Sequence, residues 1–285
     1  MADRTLLFHL SDIHFGLEHN RALDWVAQEI ATREPAAVLI TGDLTMRART
    51  REFAAARDWI LSLKAPVTVE VGNHDLPYFN LIERFFDPYR KFHGMESVVE
   101  KELDLPGLAI VPLKTTVRMQ PRLDWSKGWV SSTALDKCLN AIDAVPKGKR
   151  VLVTVHHPLV EVGTKGSALT RGGTNALSEL AKRDIEAVLS GHVHDPFDLI
   201  AQTDNGPVRM IGAGTLSQRI RSTPQSFNEL RFENGKLTVE ARNLQDVAHE
   251  AMKIDDVPED ARPPREPGEP VAAIGAVPRV DPPVH

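Results

Sequence analysis

One cysteine in 285 residues excludes an intramolecular disulfide and fits a reducing compartment. Cys138 lies in Thr133-Ala134-Leu135-Asp136-Lys137-Cys138-Leu139, a stretch of helical character, and reads there as a small core residue rather than a nucleophile. Basic residues are not in excess either. Lys and Arg number 34 against 39 Asp and Glu, a formal net charge of -5 with histidine neutral. A dedicated nucleic-acid binder usually shows a basic footprint, so nucleic acid is not an expected partner. No segment approaches the roughly 18 to 20 apolar residues of a membrane helix. The apolar start over residues 5–10 is too short for a signal peptide and then turns polar, so a soluble, cytoplasmic protein without a membrane span is expected. No internal repeat is present.

What is there is enough for a full-sized core, at 42% hydrophobic and 26% charged residues. Residues 5–10 form a mostly apolar run, as does Ala36-Ala37-Val38-Leu39-Ile40-Thr41, and both read as strands covered on two faces. Residues 22–32 place Leu23, Val26, Ala27 and Ile30 at helical spacing, and 49–63 continue as a second helix. A third strand, 66–71, follows. Residues 77–92 predict one helix with Phe79, Leu81, Ile82, Phe85 and Phe86 as an apolar face turned to the core. Val98-Val99 and 108–113 are strand candidates around a Pro106-Gly107 turn. After an irregular segment, 115–128, the alternation resumes: helix 132–144, strand 150–155, a Gly-rich loop 162–174, helix 175–183 and strand 185–190. From residue 197 onward short strands pair around Asp204-Asn205-Gly206 and Glu233-Asn234-Gly235, where Asn-Gly signals hairpins. The expectation is a domain over 1–253 and a Pro-rich, apolar-poor disordered tail over 254–285.

Strand–helix alternation predicts parallel units whose ligand sites lie at the carboxyl ends of the strands. Five such ends carry metal-ligand residue types: Asp12-x-His14, Gly42-Asp43, Gly72-Asn73-His74-Asp75, His156-His157-Pro158 and Gly191-His192-x-His194. Residues two apart on extended backbone project to one side, so Asp12 and His14 can grip one ion. Imidazole and carboxylate without thiolate suit Mn, Fe or Zn rather than a structural Cys-built zinc site. The donors are too many for one ion.

In order and residue type these five segments resemble the signature of the calcineurin-like metallophosphoesterase superfamily, over essentially residues 5–195. The resemblance implies an α/β, four-layer α-β-β-α sandwich of two mixed sheets with flanking helices. It implies Asp12, His14, Asp43 and His194 on a first divalent ion, with Asp43 bridging and Asn73, His156 and His192 completing a second. The family ligand is the His two places before the Pro, here His156 rather than His157. His74 corresponds to the family's catalytic histidine and Asp75 to the carboxylate that orients it. Two divalent ions, Mn²⁺ or Fe²⁺ in preference to Zn²⁺, would lower the pKa of a bound water so that a bridging hydroxide attacks phosphorus. His74 would serve the departing oxygen.

Gly42-Asp43-Leu44-Thr45-Met46-Arg47 departs from the Gly-Asp-x-Val-Asp-Arg-Gly run of protein Ser/Thr phosphatases, and Asp75 stands where they carry Glu. The pattern looks like the bacterial phosphodiesterases, including the cyclic-nucleotide class. The expected activity is therefore hydrolysis of a small-molecule phosphodiester, by a chain that is compatible with a homodimer. Alternatives within the fold are a phosphomonoesterase and a lipid- or nucleotide-linked pyrophosphohydrolase; a non-catalytic scaffold is the alternative outside it. His9 is expected to be a satisfied core histidine. His19, Arg47, Arg118, Arg122, Lys165, Thr170 and Arg171 are expected as solvated loop residues before substrate contacts, and the substrate question lies in loops 114–130 and 158–174.

Overall fold

The structure is a computed structural model that describes residues 4–245, apart from 79, 102, 122 and 123. All described residues fall in the compact unit Met1–Val247. The expected tail 254–285, Phe79 and Arg122 lie outside the described residues.

Apolar β-prone runs alternate with amphipathic ones, and the chain follows: β1 Arg4–Leu10, α1 Asn20–Arg33, β2 Ala37–Ile40, α2 Thr50–Ser62, β3 Val67–Val69, α3 Leu81–Phe86, α4 Arg90–Val99 and β4 Leu108–Pro112. Then come α5 Ser132–Asp143, β5 Arg150–Thr154, α6 Gly173–Ala181, β6 Ala187–Ser190, β7 Phe197–Thr203, β8 Gly206–Gly212, β9 Ser226–Glu233 and β10 Lys236–Asn243. Two five-stranded sheets result, ordered β10-β9-β1-β2-β3 and β4-β5-β6-β8-β7. β1, β2 and β3 are parallel, as are β4, β5, β6 and β8; β9, β10 and β7 run antiparallel to their neighbours. The mixed sheets are those expected.

Period-2 alternation sends successive side chains to opposite faces, and the apolar residues sort accordingly. Phe8, Leu10, Val38 and Ile40 meet α1 and α2 residues such as Val26, Ile30, Phe53 and Ile60. Val151, Val153 and Val188 meet Leu135, Leu139, Leu177 and Leu180 of α5 and α6. The opposite faces, Leu7, Leu39, Leu152, Leu189, Ile211 and Leu230, close a third core between the sheets. Three cores separate four layers. Cys138 is buried on α5, as expected.

One stretch departs from expectation. Residues 77–92 are not one helix with a buried apolar face. Asp87 precedes Pro88, which excludes helical backbone there, and α3 ends with Asp87 at φ -149°, ψ 69°. Ile82 and Phe86 are 74% and 79% exposed, with Leu81 and Phe85 exposed as well. The buried residue of α3 is Arg84, whose Nε and Nη2 donate to the carbonyls of Arg118 (2.8 Å) and Val117 (3.1 Å). The face that packs is thus the one that satisfies loop carbonyls, and Phe85 stands edge-to-face with Trp125. Val98-Val99 end α4 rather than form a strand.

His9 is fully buried on β1 beside Thr41 Oγ1 (Nε2 to Oγ1 3.0 Å). Burial drives its pKa down to about 3, against a smaller upward pull from Asp12. The unfolded chain takes up this proton near the ordinary imidazole value of 6.5 and the folded protein only near 3, so the stability it supports is complete above 6.5 and lost as pH falls towards 3. Urea unfolding at about pH 7 and about pH 5 should show that acid-side loss, and His9→Gln should make it shallower.

Candidate metal centre

Parallel strands bring their carboxyl ends to one edge, and the loops leaving them are laced together by backbone bonds. Asp12 N–H donates to Gly42 O and His14 N–H to Asp43 O, both at 3.0 Å. Gly191 N–H donates to His156 O at 3.0 Å, and His192 N–H reaches across the sheets to Asp12 Oδ2 at 2.7 Å. The backbone is bent hard to do this. Asp12, His14, Asp43, His192 and His194 all have φ between 51° and 70°, a left-handed region that costs non-glycine residues about 1–3 kcal/mol each. Glycines precede the ligand-type residues because the loops nearly touch. A Cβ on Gly191 would meet Ser11 Oγ at 1.7 Å and Asp12 Oδ2 at 2.6 Å; one on Gly72 would meet the Asp43 amide nitrogen at 2.1 Å.

The donor atoms converge. Those of Asp12, His14 and His194 lie within 4.8 Å of one another, and so do those of Asp12, Asp43 and His156. His194 commits Nδ1–H to the carbonyl of Arg219 (2.6 Å) and His156 commits Nδ1–H to that of Thr41 (2.7 Å). Each ring therefore presents Nε2 as a lone pair. His194 Nε2 stands 3.0 Å from Asp12 Oδ1 and 3.2 Å from His14 Nε2. His156 Nε2 stands 3.1 Å from Asn73 Oδ1 and 3.4 Å from Asp43 Oδ2. Buried acceptors face buried acceptors, and Asp12 Oδ1 has no hydrogen-bond partner. Only protons or cations relieve that arrangement, and the donor set fits a hard-to-borderline divalent ion.

The titration behaviour of the bare protein expresses the same crowding. Burial opposes every charge here, yet His194 and His14 hold Asp12 well below the carboxylate range, and His156 does the same for Asp43. Burial is likewise outweighed at His156, which the Asp43 carboxylate pushes up to about 9. His192 is driven by burial and the neighbouring His156 down to about 3, against smaller upward pulls from Asp43 and Asp12.

Asp43 occupies the middle. Its Oδ2 lies 3.4 Å from His156 Nε2 and 3.8 Å from His14 Nε2, so one oxygen faces both groups. Its Oδ1 accepts the His74 N–H at 2.8 Å. The His74 ring stands edge-on to His14 with centroids 4.8 Å apart, and its Nδ1–H donates to Met46 O at 2.8 Å.

Asp75 does something other than orient that ring. Its carboxylate accepts from the amides of Gly72, Leu44 and Thr45 and from Thr45 Oγ1, at 2.8–3.2 Å. It ties the Asp43 loop to the Asn73 loop, while the Met46 carbonyl holds His74. Burial and Asp43 raise the Asp75 pKa to about 7, against those amides. His157 spends both ring nitrogens, one on Thr115 Oγ1 and one on the Ser126 carbonyl, each at 2.8 Å. It packs on His192, with centroids 4.4 Å apart, and has no lone pair left for an ion.

Among the lesser candidates, His19 caps α1, its Nδ1 accepting from Ala22 N–H at 3.2 Å. Thr170 donates to the Pro158 carbonyl and Arg171 stacks over Trp129 at 4.3 Å. Arg118 and Lys165 are exposed, and Arg47 donates its backbone N–H to Glu52. Sequence reasoning passed over Arg219, whose Nη1 donates to His74 Nε2 at 3.0 Å. β8 looked like a hairpin strand only, although its parallel pairing with β6 aims its carboxyl end at this edge.

The calcineurin-like phosphoesterase family model matches residues 6–196. A probable cyclic nucleotide phosphodiesterase of Synechococcus sp. is 30% identical over 58% of this chain and 60% of its own length. A probable glycerophosphodiester phosphodiesterase of Arcobacter nitrofigilis is 27% identical over 56% of this chain and 57% of its own length. The chain thus spans under two thirds of either relative. Among solved structures, a dimetal phosphatase from Danio rerio superposes with a TM-score of 0.61 at 14% identity, covering 84% of this chain and 96% of that one. A purple acid phosphatase from yellow lupin (Lupinus luteus) seeds gives 0.58 at 13% identity, covering 86% and 52%. At those identities the likeness is one of fold.

Gly191→Ala should push the Asp12 carboxylate aside and lower bound metal, read by elemental analysis of the purified protein. Gly94→Ala, whose Cβ would meet open space on α4, should leave metal content as it is.

Proposed function

The chain belongs to the calcineurin-like phosphoesterase family, and from that premise we propose that it is a dinuclear-metal phosphodiesterase acting on small diesters, cyclic nucleotides among them. The observation that carries this reading is Asp43 Oδ2 set between two groups of inward lone pairs. Asp12, His14, Asp43 and His194 would hold one divalent ion; Asp43, Asn73, His156 and His192 would hold the other, with Mn²⁺ or Fe²⁺ favoured by the imidazole-carboxylate mix. When bound, such a pair activates water near neutral pH and draws in the phosphoryl oxygens.

The chain's own residues would supply the rest. The Asn73 amide gives an oxygen donor without a third negative charge, which preserves the positive surplus that attracts an anionic ester. His74, anchored by its Nδ1–H on the Met46 carbonyl, would take up a second proton at Nε2 from solvent and give that proton to the departing oxygen. Asp75 would act by holding the Asp43 and Asn73 loops in register. The names of the Synechococcus and Arcobacter relatives support the diester reading.

With Mn²⁺ added, bis(p-nitrophenyl) phosphate and 2′,3′- or 3′,5′-cyclic nucleotides should be turned over faster than p-nitrophenyl phosphate; a preference for the monoester would overturn the diesterase assignment. Replacing His74 by Ala should keep metal content and lower kcat by about 10²–10⁴, whereas Asp43→Ala should lose paired metal. Full diesterase rate in the His74 variant would refute the acid role.

A further inference from the structure

We propose that Arg219 is a phosphoryl-binding residue, whose guanidinium leaves the His74 imidazole for the anionic oxygens of the ester when substrate enters. This rests on the reading of the site as a phosphoesterase centre and names one more of its binding groups.

The loop that carries Arg219 is fixed to the metal-centre backbone. Ala213 N–H donates to Ser190 O at 2.9 Å, and Thr215 Oγ1–H donates to the carbonyl of Asp12 at 2.7 Å. Ser217 Oγ pairs with Thr215 Oγ1 at 2.7 Å and accepts the Arg219 N–H at 3.2 Å. Gln218 N–H donates to Leu17 O at 2.9 Å. The Arg219 carbonyl then receives His194 Nδ1–H. Backbone and side chain of this residue therefore serve different purposes: one holds a ligand-type histidine, the other meets His74.

The side chain is undercommitted. Arginine carries five N–H donors and a permanent charge. Here Nη1 meets His74 Nε2 at 3.0 Å and the Met46 sulfur at 3.9 Å. Among the described residues no carboxylate pairs with this guanidinium, whereas Arg183 and Arg209 each have an aspartate at 2.7–2.9 Å. A half-buried cation whose contacts are one ring nitrogen and one sulfur lacks an anionic partner. That ring accepts at Nε2 because its other nitrogen donates to Met46 O. A phosphoryl group offers the fork two anionic oxygens in a bidentate geometry that a single ring nitrogen cannot match. The exchange is downhill once an anion arrives, and it frees His74 Nε2 to face the departing oxygen.

The test uses the full-length, metal-loaded chain with Arg219→Ala, Arg219→Gln and Arg219→Lys. Inorganic phosphate binding is measured by calorimetry, and kcat and KM are measured with bis(p-nitrophenyl) phosphate. Because the carbonyl to His194 is untouched, bound metal should equal that of the parent. In the Ala and Gln variants phosphate affinity should fall about 10- to 100-fold, the range of a charged hydrogen bond, and KM should rise with it; Lys should restore part of both. Should Ala fail to fold, Gln, which keeps a donor for His74 without the charge, and Lys decide the matter. Unchanged phosphate affinity, a loss confined to kcat, or loss of metal would each overturn the proposal. An Arg219-dependent phosphate affinity in a parent that hydrolyses no ester would leave the proposal standing and remove the phosphoesterase reading, so the two fail separately.

Discussion

Lone pairs aimed at lone pairs inside a protein are the constraint from which the rest of this molecule follows. His194 and His156 each give away their one ring proton to a backbone carbonyl, and the nitrogens left over point at carboxylate and amide oxygens 3.0–3.4 Å away. Among the described residues protons balance that concentration of negative potential, which is why the Asp43 carboxylate holds His156 up at about 9 despite burial, and a divalent cation can take their place. A fold that assembles such a group is therefore a fold built around cations. The two carbonyls, those of Arg219 and Thr41, matter as much as the ligand-type side chains, because they decide which nitrogen turns inward.

That convergence exacts backbone strain, and the architecture explains how it is borne. Residues with positive φ sit at the ends of β1, β2 and β6, each rooted in a buried strand. Three separate cores hold those strands in register before the loops begin. The inter-sheet core is the important one, since it fixes the distance between Asp12 on one sheet and His192 on the other, which the 2.7 Å bond between them then closes. Asp75 does the same service within one sheet, with four donors drawn from two loops.

The surface around this rigid centre follows other rules. Loop 114–130 is held from one side by Arg84 and Tyr89 and from the other by His157. Arg84 shows how a helical apolar pattern can mislead. Periodicity predicts which residues share a face, but the face that packs is chosen by what lies opposite, and opposite α3 lie unsatisfied carbonyls. Leu81, Ile82 and Phe86 are left in solvent as a result.

The alternation of strands and helices was legible in the chain because buried strands and amphipathic helices have local, periodic signatures. So were the five strand ends, since each ligand pair sits within a few residues of its own glycine or strand. Sequence by itself determined which residue types stand ready and that parallel strands would deliver them to one edge. Only the tertiary structure decided that His157 faces Thr115 and Ser126 while His156 faces Asp43, that Asp75 braces loops instead of an imidazole, and that β8 joins β6 in parallel and so carries Arg219 to His74. Each of those outcomes is a pairing between segments at least 22 residues apart, the separation of Val188 and Met210. A hydrogen-bond partner that distant leaves no periodic or spacing trace in the chain; it exists only once the sheets have packed.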